Sequence, residues 1–142
     1  MLRAVVEGDG GDYARVRRTT IGFSAVPSLI AGRVDAVVSF WNVEGVTLRE
    51  RGVRTREFRV DDYGAPRYPE LVLAVKRERV ADVQGALDAI GAGTREALAD
   101  RDATVARLVD ASGASPELVR AQLDAIAPAL RPPIRLDRGA LE

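Results

Sequence analysis

The stretch "GRVDAVVSFWNVEGV", residues 32–46, decides how this chain is read. Gly32 suits the left-handed position that closes a helix, and a short helix fits just before it. In "SAVPSLIAG" (24–32) Ser24 stands at the cap and Pro27 in the first turn. "VDAVVSF" (34–40) is a short apolar run, the pattern of a buried strand. "NVEGVTLRERG" (42–52) then reads as a second short helix ending at Gly52. At the junction stands Trp41, the single tryptophan of the chain, beside Asn42 and close to Glu44.

Working outward, "LRAVVEG" (2–8) is a helical piece stopped by "GDGGD" (8–12), which is turn chemistry. Its acids do not follow the calcium-loop spacing, so a plain turn is expected there. "RVRRTTIGF" (15–23) alternates, is β-branched and reads as a strand. "VRTREFRV" (53–60) alternates strictly but is polar on both faces at one end, which suits an edge or connecting segment. "DDYGAPRYP" (61–69) is a loop and "ELVLAVKRE" (70–78) a last strand. From residue 80 the period changes: Val80, Val83, Leu87 and Ile90 lie on one helical face. "GAG" (91–93) is expected to weaken or kink that helix. "ATVARLVDASG" (103–113) and "SPELVRAQLDAI" (115–126) are two more helices, the last with Ser115 as cap, Pro116 at its first position and Glu117 in its first turn. "APALRPP" (127–133) ends regular structure. Strand–helix alternation followed by helices predicts an α/β fold: a small, mostly parallel sheet with short helices, then a C-terminal helical segment.

Composition narrows the chemistry. The chain has 142 residues, one domain's worth, and its 21 basic and 21 acidic residues cancel. No net field draws it to nucleic acid or an anionic membrane. With no cysteine there is no disulfide, thiolate nucleophile or Cys-ligated metal. With no histidine there is no imidazole base, no Ser-His-Asp triad and no imidazole ligand. No segment reaches the roughly 18 apolar residues of a transmembrane helix. The start lacks the pattern of a secretory leader, so the chain as it stands reads as soluble and cytoplasmic.

Two readings of the Trp41 junction stand side by side. Trp41 can be packing at a strand end, Asn42 a helix cap, and Glu44 an acid placed where the helix dipole favours it. Alternatively, this is where open α/β sheets bind ligands, beyond the carboxyl ends of the strands. Trp41 would then stack on a flat ring, Glu44 would accept hydrogen bonds from an amino-heterocycle, and Ser24 would serve from the preceding strand end. Tyr63 and Tyr68 would add further walls.

The same residues resemble a known family. Leu29, Gly32, Val34, Asp35 and Ala36, then Phe40 to Glu44, then Tyr63 to Leu73, are similar to the C-terminal half of ABC-transporter substrate-binding proteins. The group concerned includes binders of thiamine pyrimidine precursors. The resemblance covers residues 15 to about 128 and implies a partial type 2 periplasmic-binding-protein fold. Residues 1–60 would be part of the second lobe, 61–79 the crossover hinge and strand, and 80–142 helices that pack on the first lobe. It implies a solute-binding component, or a truncated remnant, of an ABC importer, with Ser24, Trp41, Asn42, Glu44 and Tyr63 lining the ligand cleft. A permease partner, a periplasmic or extracellular location, and no metal or cofactor follow from it. Some fungal relatives consume a histidine and need iron to make the pyrimidine, and this chain has no histidine, so no enzyme is expected. A whole member has about twice this length. The helices after 80 would then show an apolar face, which predicts a homo-oligomer. The competing expectation is a non-binding oligomeric fragment with no ligand.

Overall fold

A computed structural model describes residues 1–65 and 72–130, and among these the regular structure is helical. Six α-helices follow in order: α1 (Leu2–Gly8), α2 (Ala25–Ile30), α3 (Val46–Glu50), α4 (Gln84–Ala99), α5 (Arg101–Ser112) and α6 (Pro116–Ile126). The expected parallel sheet is absent: no β-strand occurs among the described residues. The segments read as strands are extended where they meet the short turns, as at Val16 (φ −77°, ψ 119°), Phe40 (φ −81°, ψ 123°) and Lys76 (φ −60°, ψ 144°). Between those points they form no ladder. A helix closes its hydrogen bonds within one segment, whereas a strand needs a neighbour to accept and donate. Val38, placed in a buried strand by its apolar surroundings, is 86% exposed here. Phe23 is fully exposed, and Val72 and Leu73 are exposed as well. Apolar runs record a need for burial; they do not supply the second strand.

The helices follow their sequence signals closely. Gly32 and Gly52 take the left-handed conformation after α2 and α3. α5 begins at Asp100, whose side chain accepts the Ala103 N–H at 3.0 Å, and ends at Gly113 (φ 68°). α6 begins at Ser115, whose hydroxyl accepts the Leu118 N–H at 3.2 Å, with Pro116 opening the helix. The expected break at 91–93 does not occur, because α4 runs unbroken from Gln84 to Ala99 with Gly91 buried. Its neighbour Gly93 has open space where a Cβ would stand. Gly93→Ala is therefore expected to raise stability by about 0.5–1 kcal/mol, the entropic penalty of a mid-helix glycine. A denaturant midpoint moved upward at unchanged slope is the check.

α6 is the hub of the molecule. It packs on α5, on α3 and on the turn Trp41–Gly45. Val105 of α5 meets Val119 and Leu123 of α6 in a small apolar core, with Val109 and Ala114 against it. On the other side Val46 and Leu48 of α3 are buried. Ion pairs bridge the same helices, Arg101 to Asp124 (2.5 Å) and Arg120 to Asp102 (2.6 Å), but their exposure makes each worth little. A second, smaller assembly joins α1 to the turns at 13–15 and 60–63.

Candidate binding site

Trp41 to Gly45 form a widened helical turn that leads directly into α3. The Gly45 N–H donates to the Phe40 carbonyl five residues back (3.2 Å), and the Val43 N–H donates to the same oxygen (3.1 Å). Glu44 closes the ring from the other side, its Oε2 accepting the Phe40 N–H at 2.9 Å. An acid reaching back to the backbone before its own helix satisfies one of the donors that a helix start leaves open. Because the turn carries an extra residue, the acid that reaches back stands one place later than in an ordinary capping box. Thr47 adds a bond from Oγ1 to the Val43 carbonyl at 2.8 Å. Beyond the turn, Arg49 pairs with Glu57 and ties α3 to the extended segment that follows.

On this frame Trp41 is half-exposed, at 51%, so its ring is available to solvent. Asn42 is partly buried and faces a cleft of about 280 Å³ between the turn and α5–α6. Glu44 has one oxygen committed to Phe40. The three junction residues are thus gathered on one turn, with Asn42 on the side that faces the helices and Glu44 turned back onto Phe40.

Ser24 and Tyr63 belong to separate local networks. Ser24 occupies the cap position of α2, yet its hydroxyl makes no capping bond. It donates instead to the Ile21 carbonyl at 2.5 Å and lies 3.2 Å from the Ser28 hydroxyl. Tyr63 ends the turn at 60–63 and donates from its hydroxyl to Asp9 Oδ1 at 3.3 Å. Its ring lies 6.4 Å from that of Phe58, and α1 approaches so closely that a Cβ on Gly8 would fall 2.7 Å from Tyr63 Cδ1. Asp9 also binds Arg56 at 2.6 Å, and the Arg56 guanidinium lies over the Phe58 ring. Among the described residues, no hydrogen bond or ring contact joins Ser24 or Tyr63 to Trp41. Tyr68, the further wall suggested by sequence, lies outside the described residues.

Partial burial pushes the Tyr63 hydroxyl above the ordinary phenol value of 10.0, and the neighbouring Asp9 carboxylate pushes it the same way. The folded chain therefore holds this proton more tightly than the unfolded one. The resulting stability is complete below the unfolded value and is lost as pH rises through the higher folded value. Alkaline titration above pH 10.0 is expected to destabilise the native chain more steeply than a Tyr63→Phe variant, read by denaturant midpoint at each pH.

The network of Asp9, Arg56 and Tyr63 was not visible in the sequence, since its members stand 47 and 54 residues apart. Gln122 and Leu108, on the far wall of the Asn42 cleft, read in the sequence only as helix residues. Among the described residues no cluster of acids could hold a metal ion, and no helix is long and apolar enough to cross a membrane.

Comparison with known proteins gives the class. Residues 1–104 match the model of the family described as NMT1/THI5 like, and the chain belongs to that family. It is similar to the formylaminopyrimidine-binding protein of Halalkalibacterium halodurans, with 42% identity over 74 residues. That stretch is 51% of this chain and 22% of the relative, so the chain spans well under two thirds of the protein it matches. No solved structure matches the chain.

Proposed function

We propose that the chain is a solute-binding component of an ABC importer, or a remnant of one, that takes a small flat heterocycle such as a pyrimidine precursor of thiamine. The observation that carries this reading is the Trp41–Glu44 turn: a half-exposed indole, a partly buried carboxamide and a carboxylate on one fixed loop. Trp41 supplies the stacking face, and Asn42 and Glu44 the polar partners. Ser24 and Tyr63 complete the walls when ligand draws the segments together. The curated relative is named for binding a formylaminopyrimidine, which supports the ligand class. In this reading the protein binds and releases without chemistry, works outside the cytoplasmic membrane and delivers its ligand to a permease.

The test is calorimetric titration with a formylaminopyrimidine. Saturable binding is expected, weakened at least about tenfold by Trp41→Ala and by Glu44→Ala, each with an unchanged far-ultraviolet spectrum. Base–aromatic stacking and charge-assisted hydrogen bonds are each worth about 1–3 kcal/mol, enough for that loss. One observation favours a second reading, a homo-oligomer that binds nothing: Ile90 on α4 and Val80, which lies in the short turns before α4 rather than on the helical face expected from sequence, are each 54% exposed. Native mass spectrometry showing a ligand-free dimer, together with a flat titration, would select it.

A further inference from the structure

We propose that residues 34–40 are a dimerisation strand: two copies of this chain pair along it, antiparallel, about a two-fold axis at Val37. The proposal goes beyond the solute-binding reading and does not depend on it. It places the contact between copies on a backbone edge rather than on the exposed Val80 and Ile90.

The run "VDAVVSF" alternates, so as a strand it would set Val34, Ala36, Val38 and Phe40 on one face and Asp35, Val37 and Ser39 on the other. It has no neighbour to pair with. Among the described residues, 34–39 make no hydrogen bond, and Val38 is 86% exposed. The last residue of the run is engaged. The Phe40 N–H donates to Glu44 Oε2, and the Phe40 carbonyl accepts the Val43 and Gly45 N–H groups. In a strand the N–H and C=O of one residue point to the same edge, and successive residues alternate between edges. The edge shared by Ala36, Val38 and Phe40 is therefore closed at its end by the Trp41–Gly45 turn. The other edge, with the backbone groups of Asp35, Val37 and Ser39, is open. An open edge of this kind is a template for another strand.

A second copy is the occupant because the run complements itself. In the antiparallel register centred on Val37, Val34 faces Phe40, Ala36 faces Val38 and Asp35 faces Ser39 of the second copy. Apolar residues meet apolar ones, the two polar residues meet each other, and no like charges are opposed. Parallel in-register pairing would set Asp35 against Asp35, and a shift of one residue would set Asp35 against Val38 or Phe40. Asp35, Val37 and Ser39 then exchange both backbone bonds with the residues opposite them, and the Phe40–Glu44 bond stays intact on the far edge. Pairing straightens the bend at Asp35. The other strand-patterned runs complement themselves poorly, since Arg17 and Arg18 in one and Arg54, Arg56 and Arg59 in another crowd like charges together.

Sedimentation velocity on the full chain is expected to show a monomer–dimer equilibrium that shifts with concentration. Val37→Pro removes the N–H donors at the axis from both copies and is expected to weaken the dimer at least about tenfold. Val38→Lys changes a side chain already in solvent and sets two ammonium groups about 7–8 Å apart on one face of the pair, so it is expected to loosen the dimer severalfold with an unchanged far-ultraviolet spectrum. The chain has no cysteine, so single thiols report the register. On mild oxidation Val37→Cys, opposite its own copy at the axis, is expected to give a covalent dimer, and Ser39→Cys, opposite Asp35, is expected to stay monomeric. A chain that is monomeric at every concentration overturns the proposal. A dimer undiminished by Val37→Pro and Val38→Lys overturns it as well, and assigns the contact to another face. Equal cross-linking of the two thiol variants, or none with Val37→Cys, overturns it too.

Discussion

Leu123→Ala is expected to lower the stability of the chain by about 2–3 kcal/mol, the lower part of the range for truncating a buried leucine. Leu123 is 6% exposed and belongs to the small core with Val105 and Val119. It also lines the cleft that Asn42 faces, so the space it vacates is continuous with a cleft that is already open. A void that water or a neighbouring side chain can enter costs less than a sealed one, which places the effect below the maximum. The effect is nonetheless large for this molecule, because α6 holds α5, α3 and the Trp41–Gly45 turn at once. Leu108→Ala, which removes the same atoms from a more exposed position, is expected to cost less than about 1 kcal/mol. Urea unfolding followed by circular dichroism measures both. Equal losses in the two variants would contradict the placement of Leu123 in a core.

Val46→Asp is expected to cost about 3 kcal/mol or more, the penalty for an unpaired charge inside a protein. Val46 is 3% exposed at the start of α3, and Arg49, the basic residue of α3, is already paired with Glu57. Burial would raise the introduced carboxyl's pKa, so the loss is expected to shrink as pH falls and the group becomes neutral. Trp41 stands at the head of the turn that runs into α3. Its fluorescence is therefore expected to report the release of α3. A Val46→Asp chain with native fluorescence and an unchanged denaturant midpoint would mean that α3 is not docked on α6.

How much of this could be read in advance depends on where each element finds its hydrogen bonds. Ser115, Pro116, Asp100, Gly113, Gly32 and Gly52 mark helix ends by local geometry, and the structure uses each of them at an end. The runs at 34–40 and 53–60 carried equally clear strand patterns, yet their pairing depends on other segments, and they form no ladder. The glycines at 91–93 misled in the opposite sense, because helical neighbours on both sides carry α4 through them. At the site, the sequence revealed the Trp41–Glu44 cluster because its members are adjacent in the chain. It did not reveal Gln122 opposite Asn42, or Asp9 beneath Tyr63, since those meetings depend on how distant elements pack. The bond from the Phe40 N–H occupies one oxygen of Glu44 and is compatible with either role for that acid.

That bond also makes the Phe40 amide proton a natural sensor. Its exchange with deuterated solvent is slowed for as long as Glu44 Oε2 accepts it. A guest that engages Glu44 through its other oxygen would leave the loop closed and the exchange slow. One that turned the carboxylate away from Phe40 would unlock the loop, speed exchange at Phe40 and lower its own affinity by the strength of the bond it displaced. If guests bind at Glu44 as proposed, the Phe40 amide tells those that keep this bond from those that displace it.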